Sequence, residues 1–70
     1  MERKRINSSK IRAVGYDPQA QTLEVEFSDG KVLSYRGVSQ EIHRGFMAAP
    51  SPVAYWQDKI DEAFSSQRLR

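Results

Sequence analysis

The chain contains no cysteine, one histidine, one tryptophan and only three prolines and four glycines in 70 residues. The absence of cysteine excludes disulfides and thiol chemistry, and with a single histidine a classical zinc site has too few ligands. No lysine sits beside an obvious base, so nucleophilic catalysis has no candidate. Gly15, Gly30, Gly37 and Gly45 are too scattered for a phosphate-cradling loop. No apolar run approaches the ~20 residues that span a bilayer, and the N-terminus lacks the apolar stretch of a signal peptide. These absences predict a non-enzymatic chain with no metal, no cofactor and no membrane association, and a cytoplasmic location.

What is present fits one small domain. A core of this size seldom supplies more than about 3–5 kcal/mol, so a compact monomer or an oligomer is expected. The formal net charge is +2, unevenly spread. Arg3, Lys4 and Arg5 at one end and Arg68 and Arg70 at the other carry the excess, while residues 8–64 hold six basic against eight acidic side chains. Residues 1–8 read as a basic mobile tail, a solvated end in the first instance and a phosphate-contacting arm as the alternative. Residues 65–70 read as a frayed C-terminus, leaving residues 9–64 as the domain.

The clearest signal lies in residues 22–35. Leu23, Val25 and Phe27 alternate with Thr22, Glu24 and Glu26, the period of a strand with one buried face. Ser28-Asp29-Gly30 follows as a turn and residues 31–35 as the returning strand. A two-residue Asp29-Gly30 loop would set Leu33 and Tyr35 beside Glu24 and Glu26. A three-residue loop with Gly30 at positive φ pairs Val25 with Leu33 and Leu23 with Tyr35, and this form is expected because it gathers the apolar side chains on one face. Residues 9–16 form a first strand whose facing is ambiguous: Ile11 and Ala13 share one parity, Val14 and Tyr16 the other. Gly15 is the plausible site of the bulge that reconciles them.

Ser39 is a good N-cap with Glu41 in the first turn, and Ile42, Phe46 and Ala49 share one helical face extended by Val38, while Gln40, His43, Arg44 and Met47 lie elsewhere. Pro50 ends this helix, and Ser51-Pro52 starts a second, with Val53, Trp56, Ile60 and Phe64 on its apolar side. The predicted architecture is α+β: a three-stranded antiparallel meander followed by two short helices packed on one sheet face, βββαα.

Few residues carry chemistry. His43 reads as a solvated side chain on a surface helix. Glu24 and Glu26 share a strand face and read as its outward polar side. Phe27, Phe46 and Phe64 fall on core faces, Tyr35 and Trp56 at core edges with their polar tips reaching water or a carbonyl. Tyr16 and Tyr55 are the least constrained aromatics. With Arg12, Arg36 and Lys59 they mark where a stacking surface would lie.

Ser8-Ser9 before a strand, Gly15-Tyr16-Asp17, Leu23-x-Val25-x-Phe27, Gly30-Lys31-Val32-x-x-Tyr35, Val38, and Ala49-Pro50-Ser51 with Tyr55-Trp56 and Ile60 together resemble the KTSC domain. This short bacterial domain is named for its occurrence at the C-terminus of some lysyl-tRNA synthetases and also occurs free-standing. The resemblance covers about residues 8–64 and implies a small domain with no established activity, for which RNA binding has been suggested from the synthetase context. The family's central Tyr-x-Tyr is Leu33-Ser34-Tyr35 here, Val53 replaces a glycine and Gln57 an asparagine. Two functions are therefore expected to compete. One is a non-catalytic RNA-binding module using Arg12, Tyr16, Arg36, Tyr55 and Lys59 with Arg3, Lys4 and Arg5 as an electrostatic arm. The other is a protein-interaction or self-associating module with exposed strand edges and spare apolar residues such as Val32 and Met47.

Overall fold

The structure, a computed structural model, describes residues 3–6 and 8–70. Five strands form one antiparallel sheet in chain order: β1 (Arg3–Arg5), β2 (Ile11–Asp17), β3 (Thr22–Phe27), β4 (Val32–Arg36) and β5 (Ser66–Arg68). Helices α1 (Gln40–Ala48) and α2 (Pro52–Tyr55) intervene between β4 and β5, and α2 continues as a wider, π-type turn over Trp56–Ile60. The architecture is α+β with the helices on one sheet face, but the sheet has five strands rather than the three expected.

Both extra strands come from segments read as tail. Arg3–Arg5 pairs with Gly15, Val14 and Ala13 of β2, so it is an ordered edge. Ile6 continues the pairing, its N donating to Arg12 O at 2.9 Å, while Met1, Glu2 and Asn7 of that expected tail lie outside the described residues. The C-terminal residues do not fray as expected: Ser66–Arg68 pairs with β4, Leu69 N donates to Val32 O at 2.8 Å and Val32 N to Arg70 O at 3.2 Å. Three-residue strands of polar side chains carry almost no periodic signal; backbone pairing to a neighbouring strand makes them. Val32 shows the consequence, since it is fully buried rather than spare.

The hairpin follows its turn chemistry. Gly30 has φ +95°, Phe27 N donates to Lys31 O, and Val25 pairs with Leu33 and Leu23 with Tyr35, the bulged register. In β2 the irregularity falls between Ile11 and Ala13, at Arg12, and not at Gly15. That shift turns Ile11, Val14 and Tyr16 to the helix side, opposite Phe27, Val25 and Leu23.

Ser39 and Ser51 cap the helices through their hydroxyls, accepting from Ile42 N and Ala54 N. Val38, Phe46, Trp56 and Ile60 descend from this layer onto Ile11, Val14, Leu23, Val25, Phe27 and Tyr35. The core holds one buried polar contact, in which Trp56 Nε1 donates to Tyr35 Oη at 2.9 Å. Both residues were expected at core edges facing water or a carbonyl. They satisfy each other instead, as a buried N–H requires. Gly45 faces α2, with an added Cβ placed 2.5 Å from Tyr55 Oη. Among the described residues no helix is long and apolar enough to cross a membrane.

Candidate functional site

Sheet order decides how the charged ends relate. β1 and β5 are opposite edges, roughly 19 Å apart at the usual strand spacing, so the two basic ends do not converge. The sheet face turned away from the helices has its own charge arrangement. Register sets Arg3, Gly15 and Glu24 in one row across three strands, and the missing side chain at Gly15 leaves the middle of the row open. Arg3 Nη2 lies 3.0 Å from Glu24 Oε1 and its Nη1 3.5 Å from Glu26 Oε1. Arg12 Nη1 lies 3.5 Å from Glu26 Oε2, and its Nη2 donates to Ser28 O at 3.0 Å. The charges of Arg3 and Arg12 are thus largely matched by the two glutamates.

The helix side of the same edge is different. Alternation along β1 turns Lys4, the partner of Val14, toward α1. There Lys4, Tyr16, Gln40, His43, Arg44 and Met47 line a hollow of about 620 Å³, and among the described residues no acidic side chain lines it. Tyr16 is anchored by its hydroxyl to Val38 O, and its ring stacks on His43 with centroids 4.5 Å apart and planes 10° from parallel. Burial lowers the His43 pKa below the ordinary histidine value. His43, expected to be solvated, is half-buried against Tyr16. Burial first, and the Asp17 carboxylate second, raise the Tyr16 hydroxyl pKa. The site therefore offers one ammonium, one guanidinium and an aromatic pair in a concave surface, a set suited to an anionic ligand with a planar ring.

Of the residues singled out in the sequence, Lys4 and Tyr16 meet here, and Arg5 and Arg12 meet on the other side of β1. Arg36, Tyr55 and Lys59 lie elsewhere. Arg36 is beside the C-terminal strand, its backbone N donating to Ser65 O. Tyr55 is locked between helices, stacked on Phe46 at 5.9 Å with its hydroxyl donating to Ile42 O, and offers no free platform. Lys59 is exposed on the π-type turn. The four lining residues on α1 were missed, and they had a signal: Gln40, His43, Arg44 and Met47 follow the i, i+3, i+4, i+7 rule and make a second stripe on the helix.

A family model for the KTSC domain matches residues 7–64. The chain belongs to the KTSC domain family. The crystal structure of a KTSC domain protein from Yersinia pestis superposes with a TM-score of 0.93 at 31% identity, covering 99% of this chain and 97% of that one. An uncharacterised protein of Stutzerimonas stutzeri is 43% identical over 51 residues, 73% of this chain and 72% of its own length. A protein of Tsukamurella paurometabola is 31% identical over 64 residues, 91% of this chain and 96% of its own. The five-stranded sheet of this KTSC domain extends past the matched span at both ends, because Arg3–Arg5 and Ser66–Arg68 lie outside residues 7–64.

Proposed function

We propose that this KTSC domain is a non-catalytic binding module whose ligand is RNA, held at the β1 edge by the hollow between β2 and α1. What supports the reading is one arrangement: Lys4 and Arg44 flank the stacked Tyr16–His43 pair, with no acidic side chain in the lining among the described residues. Cations beside aromatic rings are the usual elements of single-strand recognition, the charges holding phosphate and the rings accepting a base. A cytoplasmic working location goes with this ligand. The test is fluorescence anisotropy with a mixed pool of short RNAs across a salt series, comparing wild type with Lys4→Ala/Arg44→Ala. Binding that falls with salt and is lost in the double variant is expected; no binding at low salt, or binding indifferent to both substitutions, overturns the reading.

A second reading is self-association or protein binding at the β5 edge, where Leu69 stands 49% exposed beside an unpaired strand margin. Light scattering across concentration separates the two. A concentration-dependent dimer abolished by Leu69→Glu favours this reading, and a monomer at all concentrations removes the self-association form of it.

A further inference from the structure

The hollow behind α1 is one of two that meet at β1. On the other side of the strand, Arg5, Ile6, Ser8, Arg12 and Ser28 line a second hollow of about 470 Å³. Alternation sends Lys4 into the first and Arg5 toward the second. The chemistry of the two differs. The first offers stacked rings, a thioether and two cations. The second offers two guanidinium groups and two serines, with no aromatic ring and no carboxylate in its lining among the described residues. Arg12 is held in place there by Glu26 and by the Ser28 carbonyl, and among the described residues Arg5 has no carboxylate partner. A pre-positioned guanidinium beside a second, uncompensated one matches the oxygens of a phosphate group.

We infer that the two hollows are consecutive subsites for a single-stranded RNA that crosses the β1 edge, one nucleotide facing Tyr16, His43, Lys4 and Arg44 and a neighbouring phosphate facing Arg5 and Arg12. This rests on the RNA reading above and adds the form and path of the ligand. Lys4 and Arg5 project from opposite faces of one edge strand, so a ligand that touches both turns around that strand. A single strand does so readily, whereas a stiff duplex reaches one side at a time. It also gives a role to the alternation of Arg3-Lys4-Arg5: Arg3 fastens the strand to Glu24 and Glu26, while Lys4 and Arg5 reach the ligand from opposite faces.

The test uses a fluorescein-labelled single-stranded RNA of randomised sequence, about six nucleotides long, and a blunt RNA duplex as competitor. Binding is measured between about 50 and 200 mM salt for wild type, Lys4→Ala, Arg5→Ala and the double variant. All three variants alter exposed side chains, and Trp56 emission with circular dichroism checks their folding. Each single variant is expected to weaken single-strand binding and to reduce the slope of log K against log salt by about 0.7, the double variant by about 1.4. Arg5→Lys is expected to keep the slope while losing affinity, because it keeps charge and loses the fork. If Arg5→Ala leaves affinity and slope unchanged while Lys4→Ala lowers both, the crossing path is wrong and the RNA reading survives. If neither matters, both fall. A duplex that binds as tightly as the single strand, with the same dependence on Lys4 and Arg5, overturns the path as well.

Discussion

Replacing Tyr35 by phenylalanine removes one oxygen from the centre of the domain, and its cost can be worked from the surroundings. Tyr35 is fully buried and Trp56 is 7% exposed. The Tyr35 hydroxyl accepts the indole N–H at 2.9 Å, and the indole meets Phe27 edge-on at 5.1 Å beneath the Lys10 ammonium. With the oxygen gone, the indole N–H is buried without a partner, which costs about 1–3 kcal/mol. Against a total stability of roughly 3–5 kcal/mol for a domain of this size, that is a large fraction. Trp56→Phe loses the same contact and leaves a void besides, so it is the costlier change. Urea unfolding followed by circular dichroism for Tyr35→Phe, Trp56→Phe and the double variant closes a thermodynamic cycle, with an expected coupling of about 1 kcal/mol. Titration adds an independent arm. Burial raises the Tyr35 pKa, the Trp56 hydrogen bond partly offsets this, and the Asp61 charge adds to the rise. The folded value therefore lies above the unfolded value of about 10, so the contribution is complete below about pH 10 and is lost as pH rises through the folded value. Tyr35→Phe should lack that alkaline loss. A Tyr35→Phe protein within about 0.3 kcal/mol of wild type, with zero coupling to Trp56, would refute the reasoning.

Three further outcomes are expected. Gly45→Ala should lose about 1 kcal/mol despite the better helix propensity of alanine, because the new methyl collides with the Tyr55 hydroxyl; adding Tyr55→Phe should recover part of the loss in thermal melts. Deleting residues 65–70 should cost about 1.5–3 kcal/mol by uncovering Val32 and the β4 edge, whereas a frayed end would cost nothing; urea midpoints decide. His43 has its pKa lowered by burial, so it favours the folded state above the unfolded value of about 6.5 and ceases to as pH falls through the folded value. The melting temperature of wild type should accordingly drop more steeply from pH 7 to 5 than that of His43→Gln.

Which parts of the molecule could be read from the chain follows from how local their causes are. The β3–β4 hairpin was legible because its register is set by Gly30 and by alternation within a few residues, and Ser39, Pro50, Ser51 and Pro52 marked the helix limits in the same local way. The short edges β1 and β5 were not, since their pairing depends on a neighbour distant in sequence. Glu24 and Glu26 could have hinted at one of them, because two carboxylates on one strand face call for a cation from a neighbouring strand, and Arg3 reaches both. The bulge at Arg12 was misplaced to Gly15 because glycine permits irregularity without requiring it. The candidate site is legible in the sequence only at Tyr16 and Lys4. Their partners on α1, Gln40, His43, Arg44 and Met47, lie off the apolar face of the helix, and a mixed polar stripe carries no sequence mark that distinguishes a site from solvated surface. Tyr55 was misjudged as unconstrained because its packing partner is a glycine, which leaves no apolar pattern in the sequence.

The most direct test of the account is an amide chemical-shift map of the 15N-labelled domain titrated with single-stranded RNA. The account predicts that perturbed residues cluster around β1 and the Lys4-facing stripe of α1, with Lys4, Arg5, Tyr16, His43 and Arg44 prominent and β5 and Lys59 silent. Shifts centred on Arg36, Lys59 or the β5 edge, or no shifts at millimolar RNA, would contradict it.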